Sequence, residues 1–224
     1  MMWRAIFTIV MSCGLLPLDV VADWPEIPFP EGTKIESIGE QVRLNGVPMR
    51  MHRLHLKESA ENSIRFYRDR LGPRLAEQAL PGGERILSQG RGDYFITLRI
   101  RPVSGSASMA LVSVSDVRAA KAAANRALGF NLPADSRVLS DLESTDAGKH
   151  SRQLVFHNRL DLETNRHSLA RELRARGFQP DNTPSRKIKN SEVLYFRGDR
   201  REAQLTLVRR DGLTQAVLTT IQTP

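Results

Sequence analysis

Apolar and polar positions along this chain follow two periods, and each change of period marks a new element. Val42, Leu44, Val47 and Met49 alternate with other residues on either side of Asn45-Gly46. That dipeptide accepts the positive backbone angles of a type I′ turn, so the segment predicts a β-hairpin. Pro48 on the returning arm suits an edge position, where its missing N–H removes no ladder bond. Past Ser59 the period lengthens to that of a helix. Ser59 can offer its hydroxyl to free backbone amides as a cap. Ala60, Ile64, Tyr67 and Leu71 then fall at spacings of four, three and four, and Gly72-Pro73 stops the run. After a glycine-rich loop at Pro81 to Gly83, alternation returns at Tyr94, Ile96, Leu98 and Ile100 and again from Met109 to Val114, with Ser104-Gly105-Ser106 as the connecting turn.

The same order recurs downstream. Leu132-Pro133-Ala134-Asp135-Ser136-Arg137-Val138 echoes Phe29-Pro30-Glu31-Gly32-Thr33-Lys34-Ile35. Leu154 and Phe156 predict a strand, Thr164 a helix cap, Leu169 and Leu173 a shared helix face, and Gly177 the stop. Ile64 matches Leu169 and Gly72 matches Gly177, both at an offset of 105. Ile188, Val193 and Tyr195 predict one strand, Ala203 to Val208 a second, Asp211-Gly212 a turn, and Ala216 to Ile221 the last strand. The expected fold is α+β: a tandem duplication of a small unit, each laying one helix on a mainly antiparallel sheet of three to five strands.

The first unit covers residues 23–115. It opens with a proline-rich stretch, Trp24 to Pro30, whose prolines forbid a helix and favour an extended strap along the fold. Residues 116–131 predict a helical linker, because Val117, Ala120, Ala124 and Leu128 keep helical spacing between a cap at Ser115 or Asp116 and a stop at Gly129. The second unit covers residues 132–224.

Residues 1–22 read as a cleavable secretory signal: Arg4, an uncharged run from Ala5 to Leu18, then small residues at Val20 and Ala22, with cleavage expected after Ala22. The run is too short to span a bilayer, so no transmembrane anchor is expected in the mature chain. Cys13 is the one cysteine and lies within the signal. A mature chain without cysteine excludes thiol catalysis and cysteine metal sites.

The remaining chemistry is sparse. The histidines at 52, 55, 150, 157 and 167 show no metal-ligand spacing, and His52 and His55, three apart on a predicted strand, leave by opposite faces. No Gly-x-Ser-x-Gly elbow or phosphate-binding glycine loop is present. The pattern therefore predicts no catalytic residue, no metal and no cofactor.

The net charge is +8, and most of the surplus lies in the second half, where residues from Asp116 onward hold 19 basic and 13 acidic side chains. Arg186, Lys187, Lys189, Arg197, Arg200 and Arg201 cluster around two predicted strands and form the candidate binding residues, since arginine pairs bidentately with phosphate and carboxylate. Acidic neighbours such as Glu192, Asp199 and Glu202 leave an ordinary solvated face as the alternative. Aromatic residues able to stack on bases are few, and export argues against nucleic acid as a partner. Two expectations remain. The first is a non-enzymatic accessory or scaffold protein of the bacterial periplasm that binds a protein partner in a cell-envelope assembly, such as a secretion or pilus apparatus. The second is a module for an anionic envelope polymer or lipid.

Overall fold

Asn45 and Gly46 take φ of 51° and 80°, and this left-handed pair folds β2 (Gln41–Leu44) back on β3 (Val47–Leu56). A preceding strand, β1 (Lys34–Ser37), runs along the far part of β3, so β1 and β2 lie end to end beside one partner. Pro48 faces Arg43, and on the other side of β3 the next strand pairs only from Met49 onward, which leaves the proline at a locally open edge. Ser59 accepts the Asn62 amide at the start of α1 (Ala60–Leu71), and Ile64, Tyr67 and Leu71 are buried on one helix face. Gly72 follows with φ 81°. Four strands complete this half: β4 (Ala76–Ala79), β5 (Arg85–Arg91), β6 (Tyr94–Ser104) and β7 (Ala107–Asp116). The computed structural model describes residues 24–182 and 186–224, Lys187 by its main chain alone, so the expected signal and its cleavage site lie outside the described residues.

The linker is shorter than its alanine spacing predicts. Asp116 caps a single 3-10 turn, Val117–Ala119, and α2 (Ala120–Ala124) ends at Asn125. Leu128 is thus beyond the helix, and it packs on the second core together with Phe130 and Leu132. The second half then supplies β8 (Arg137–Asp146), β9 (Lys149–Asn158), α3 (Leu162–Ala175), β10 (Gln179–Pro180), β11 (Arg186–Ile188), β12 (Ser191–Gly198), β13 (Arg201–Arg210) and β14 (Leu213–Gln222).

Two expectations need correction here. The cap of α3 is Asp161, whose carboxylate accepts the Thr164 amide at 2.7 Å; Thr164 itself lies in the first turn. Ile188 belongs to a separate short strand, because Asn190 turns the chain at φ 65° before β12 begins. At its other end α3 closes as expected around Gly177 (φ 83°): the Gly177 amide donates to Arg174 and the Phe178 amide to Leu173, the Schellman pattern.

Among the described residues the protein is α+β, a mostly antiparallel sheet with three helices. The strands form one continuous hydrogen-bonded path, β10-β12-β13-β14-β9-β8-β2-β3-β7-β6-β5-β4, with β1 and β11 as side branches. Read outward from the central β2–β8 pair, the order is the same in both directions. Each half holds seven strands rather than three to five, since short polar strands such as β4 show no apolar alternation. Residues that face each other across the ladders share a side of the sheet. Leu54 faces Ala110, Phe156 faces Ala216, and Arg43 at the centre faces both Pro48 and Glu143. Following that parity along the sheet puts α1 and α3 on the same side, over two separate cores. The first gathers Leu54, Tyr67, Leu98 and Val112, the second Phe156, Leu169, Leu205 and Leu218.

The helix register differs from the single offset read in the sequence. Counted from the caps Ser59 and Asp161, Leu169 stands where Tyr67 does, Asn165 where Ser63 does, and Leu173 where Leu71 does. The reason is length: α3 has 14 residues and α1 has 12, so one offset cannot match both ends.

Candidate functional site

A groove of about 540 Å³ opens on the helix-bearing side of the sheet, beside the β2–β8 junction. That volume lies within the roughly 300–1,000 Å³ of typical ligand pockets. Its floor is apolar. Leu154 of β9 and Leu218 of β14 face each other across the ladder, and Phe178 reaches in from the Schellman turn after α3. Its walls are cationic. Arg43, Glu143 and Arg152 stand side by side on β2, β8 and β9, while Arg176 and Arg201 close the far rim. Arg176 lies 4.8 Å from the ring centroid of Phe130, and Arg201 5.8 Å from that of Phe178. Each aromatic ring therefore carries a guanidinium on one face.

Most of these charges are balanced locally. Arg152 holds both oxygens of the buried Asp141 at 2.7 and 2.8 Å and donates a further bond to the Leu128 carbonyl. Arg126 holds Glu143 at 2.6 Å, and this bond above all keeps the Glu143 carboxyl below its ordinary value while raising that of the arginine. Arg176 holds Glu172 at 2.6 Å. Burial works against ionisation of Glu172, yet bonds from Asn131 and Arg176 leave its carboxyl below the usual range. Two arginines remain. Among the described residues Arg43 and Arg201 have no carboxylate within ion-pair distance; Arg43 donates to the Gly46 carbonyl, and Arg201 to those of Arg176 and Asp199.

The residues singled out in the sequence do not share one surface. Arg197 of β12 is exposed, lies 3.4 Å from Asp181 and faces Glu202 across the ladder. Arg201 alternates with Glu202 along β13, so it leaves by the opposite side and turns to the groove. Arg200 is exposed at the turn between β12 and β13, with φ 49°. Arg186 and Lys189 are exposed at the short β11 edge, and the Lys187 side chain lies outside the described residues. Only Arg201 of the six lines the groove. Arg176, a further basic residue at the end of the second predicted helix, also lines it; the other members come from four strands and two loops of both halves and form no local motif.

The histidines are dispersed. His55 lies 3.2 Å from Glu36 on one side of β3, and His52 meets Phe29 on the other, where burial and then Arg50 push its imidazole below the ordinary value. His150 lines the groove with its Nδ1 at 2.9 Å from the Thr145 hydroxyl, and His167 lies near Glu163 on α3. No group of three or more potential metal ligands is found among the described residues, nor is any helix there long and apolar enough to cross a membrane.

No protein family, curated protein or solved structure matches this chain.

Proposed function

We propose that this chain is an exported, non-enzymatic scaffold or accessory protein that holds a partner protein in a cell-envelope assembly, such as a secretion or pilus apparatus of the periplasm, and that its halves are two copies of one unit. The observation behind the partner role is the one-sided cover of the sheet. Both α1 and α3 lie on one side, and the other side carries Phe95, Val208 and Ile221, each 40% exposed or more. A broad sheet face with exposed apolar side chains, ended by short strands whose outer edge has no strand partner among the described residues, is a surface that other chains add to. Export is supported by the signal-like first 22 residues. Duplication is supported by the matching strand order and by the leading segments. Pro30 and Pro133 are both buried, and Gly32 and Asp135, two residues on, both take positive φ (70° and 56°).

The test is photo-crosslinking in living cells from an unnatural amino acid placed at Phe95 or Val208. Crosslinks to one envelope protein from both positions support the reading. A folded, exported protein that crosslinks from neither position refutes it. The second reading, binding of an anionic polymer or lipid, is favoured by the exposure of Arg186, Lys189, Arg197 and Arg200 at one end of the sheet. It predicts binding to anionic vesicles or polymer that falls steeply with added salt.

A further inference from the structure

The first half fills the place that is a groove in the second. Trp24, on the proline-punctuated strap, lies with its ring centroid 5.3 Å from that of Tyr94 and 5.1 Å from the guanidinium carbon of Arg50. The sheet register gives the counterparts of both neighbours. Arg50 faces Val114 and Arg152 faces Thr220; Tyr94 faces Asp116 and Arg201 faces Gln222. Val114 and Asp116 stand in β7 as Thr220 and Gln222 do in β14, so the Arg50–Tyr94 slot corresponds to the space between Arg152 and Arg201. Both of those arginines line the groove. Counted back from the buried prolines Pro30 and Pro133, the position of Trp24 is taken by Ala127, which is exposed. The second slot holds no indole; among the described residues Arg201 has no carboxylate within ion-pair distance, and Arg43 has only its ladder neighbour Glu143, which Arg126 already holds.

We infer that the groove receives an aromatic side chain flanked by carboxylates, carried on an extended segment of a partner protein; this rests on the scaffold reading and adds a second contact, on the helix-bearing side of the sheet, to the face that carries Phe95 and Val208. Leu154, Leu218 and Phe178 are buried beneath the groove, so the half-buried Phe130 is the apolar surface that accepts the ring. Arg201, and Arg43 whose neighbour Glu143 is already held by Arg126, accept the acids, whose charge-assisted bonds are stronger than neutral ones. An extended main chain is the form that the matching slot already holds: the strap crosses the same side of the sheet, with its Glu26 carbonyl 3.4 Å from Arg91.

The probe is a fluorescein-labelled peptide, Gly-Asp-Trp-Glu-Gly, titrated against the full chain by fluorescence anisotropy, with a Trp-to-Ala peptide and indole-3-acetate as comparisons. Saturable binding of the tryptophan peptide is expected, weaker by about tenfold or more in Arg43→Gln/Arg201→Gln, where two charge-assisted contacts are gone. Ala127→Trp places an indole at the exposed position that matches Trp24 and should block the peptide without loss of thermal stability. The proposal is overturned if folded wild-type protein binds the tryptophan peptide no better than the alanine one, or if the variants bind it as the wild type does. Indole-3-acetate binding as tightly as the peptide also overturns it, and assigns the groove to a small molecule. Crosslinks from Phe95 and Val208 report the opposite side of the sheet, so failure of the scaffold reading and failure of this one are told apart.

Discussion

Tyr67 is wholly buried under α1, and its hydroxyl has no hydrogen-bond partner among the described residues. Burial also pushes its phenol far above the ordinary value. Leu169, at the same position of α3, avoids the difficulty by having no polar atom. Tyr67→Phe is therefore expected to raise the unfolding free energy by about 1 kcal/mol, the lower end of the cost of an unsatisfied buried polar group. Leu169→Ala should cost about 2 to 5 kcal/mol by leaving a cavity in the second core. Urea titrations of both variants check the two signs. Glu143 supplies a pH dependence. Its carboxyl is held below the ordinary value of 4.5, chiefly by Arg126, so its contribution is complete above that value and is lost as pH falls through the lowered folded-state value. Glu143→Gln should accordingly flatten the loss of thermal stability measured between neutral and acid pH. The burial of Leu169 and Tyr67 was legible from helical spacing alone. The Arg126–Glu143 pair was not, because its members are 17 residues apart and meet only where the linker crosses β8.

Gly198, the last residue of β12, decides how closely α3 approaches the sheet. A Cβ built there would lie 2.6 Å from the Gly177 carbonyl oxygen and 2.7 Å from the Arg201 side chain. The first of these is main chain and does not yield easily. Gly198→Ala is expected to destabilise the protein by about 1 to 3 kcal/mol, as overpacking does, with amide chemical-shift changes concentrated at Gly177 and Phe178. Elements with strong local chemistry were plain in the sequence: the Asn45-Gly46 and Asp211-Gly212 turns, the Ser59 cap, and the alternating runs at Ile96 to Ile100 and Leu205 to Leu207. Those held by their neighbours were hidden. The strand β4 is exposed at all four positions and exists through its ladder to β5. Asp161, not Thr164, caps α3, because it precedes the first helical residue and its carboxylate accepts the Thr164 amide at 2.7 Å.

The pairing of β2 with β8 joins Gln41–Leu44 to residues about a hundred positions later, and no local period in a sequence announces such a contact. Asn45 clasps it: its amide donates to the Asp141 carbonyl at 2.8 Å, and its side-chain oxygen accepts the Asp141 amide at 2.9 Å. Residues 126–224 expressed alone would keep the second core but expose β8 along its length. They should associate edge to edge, visible as a dimer in sedimentation equilibrium; a clean monomer would show that the junction does not protect β8. Within the intact chain the two first strands meet antiparallel, with the helices on one side, which is how the subunits of a symmetric dimer would meet. Two identical subunits must offer two identical slots, and so bridge whatever they bind. Here the chain's own Trp24 fills one slot while the other stays open, so a partner that enters these slots would meet one place per molecule where a symmetric dimer would offer two.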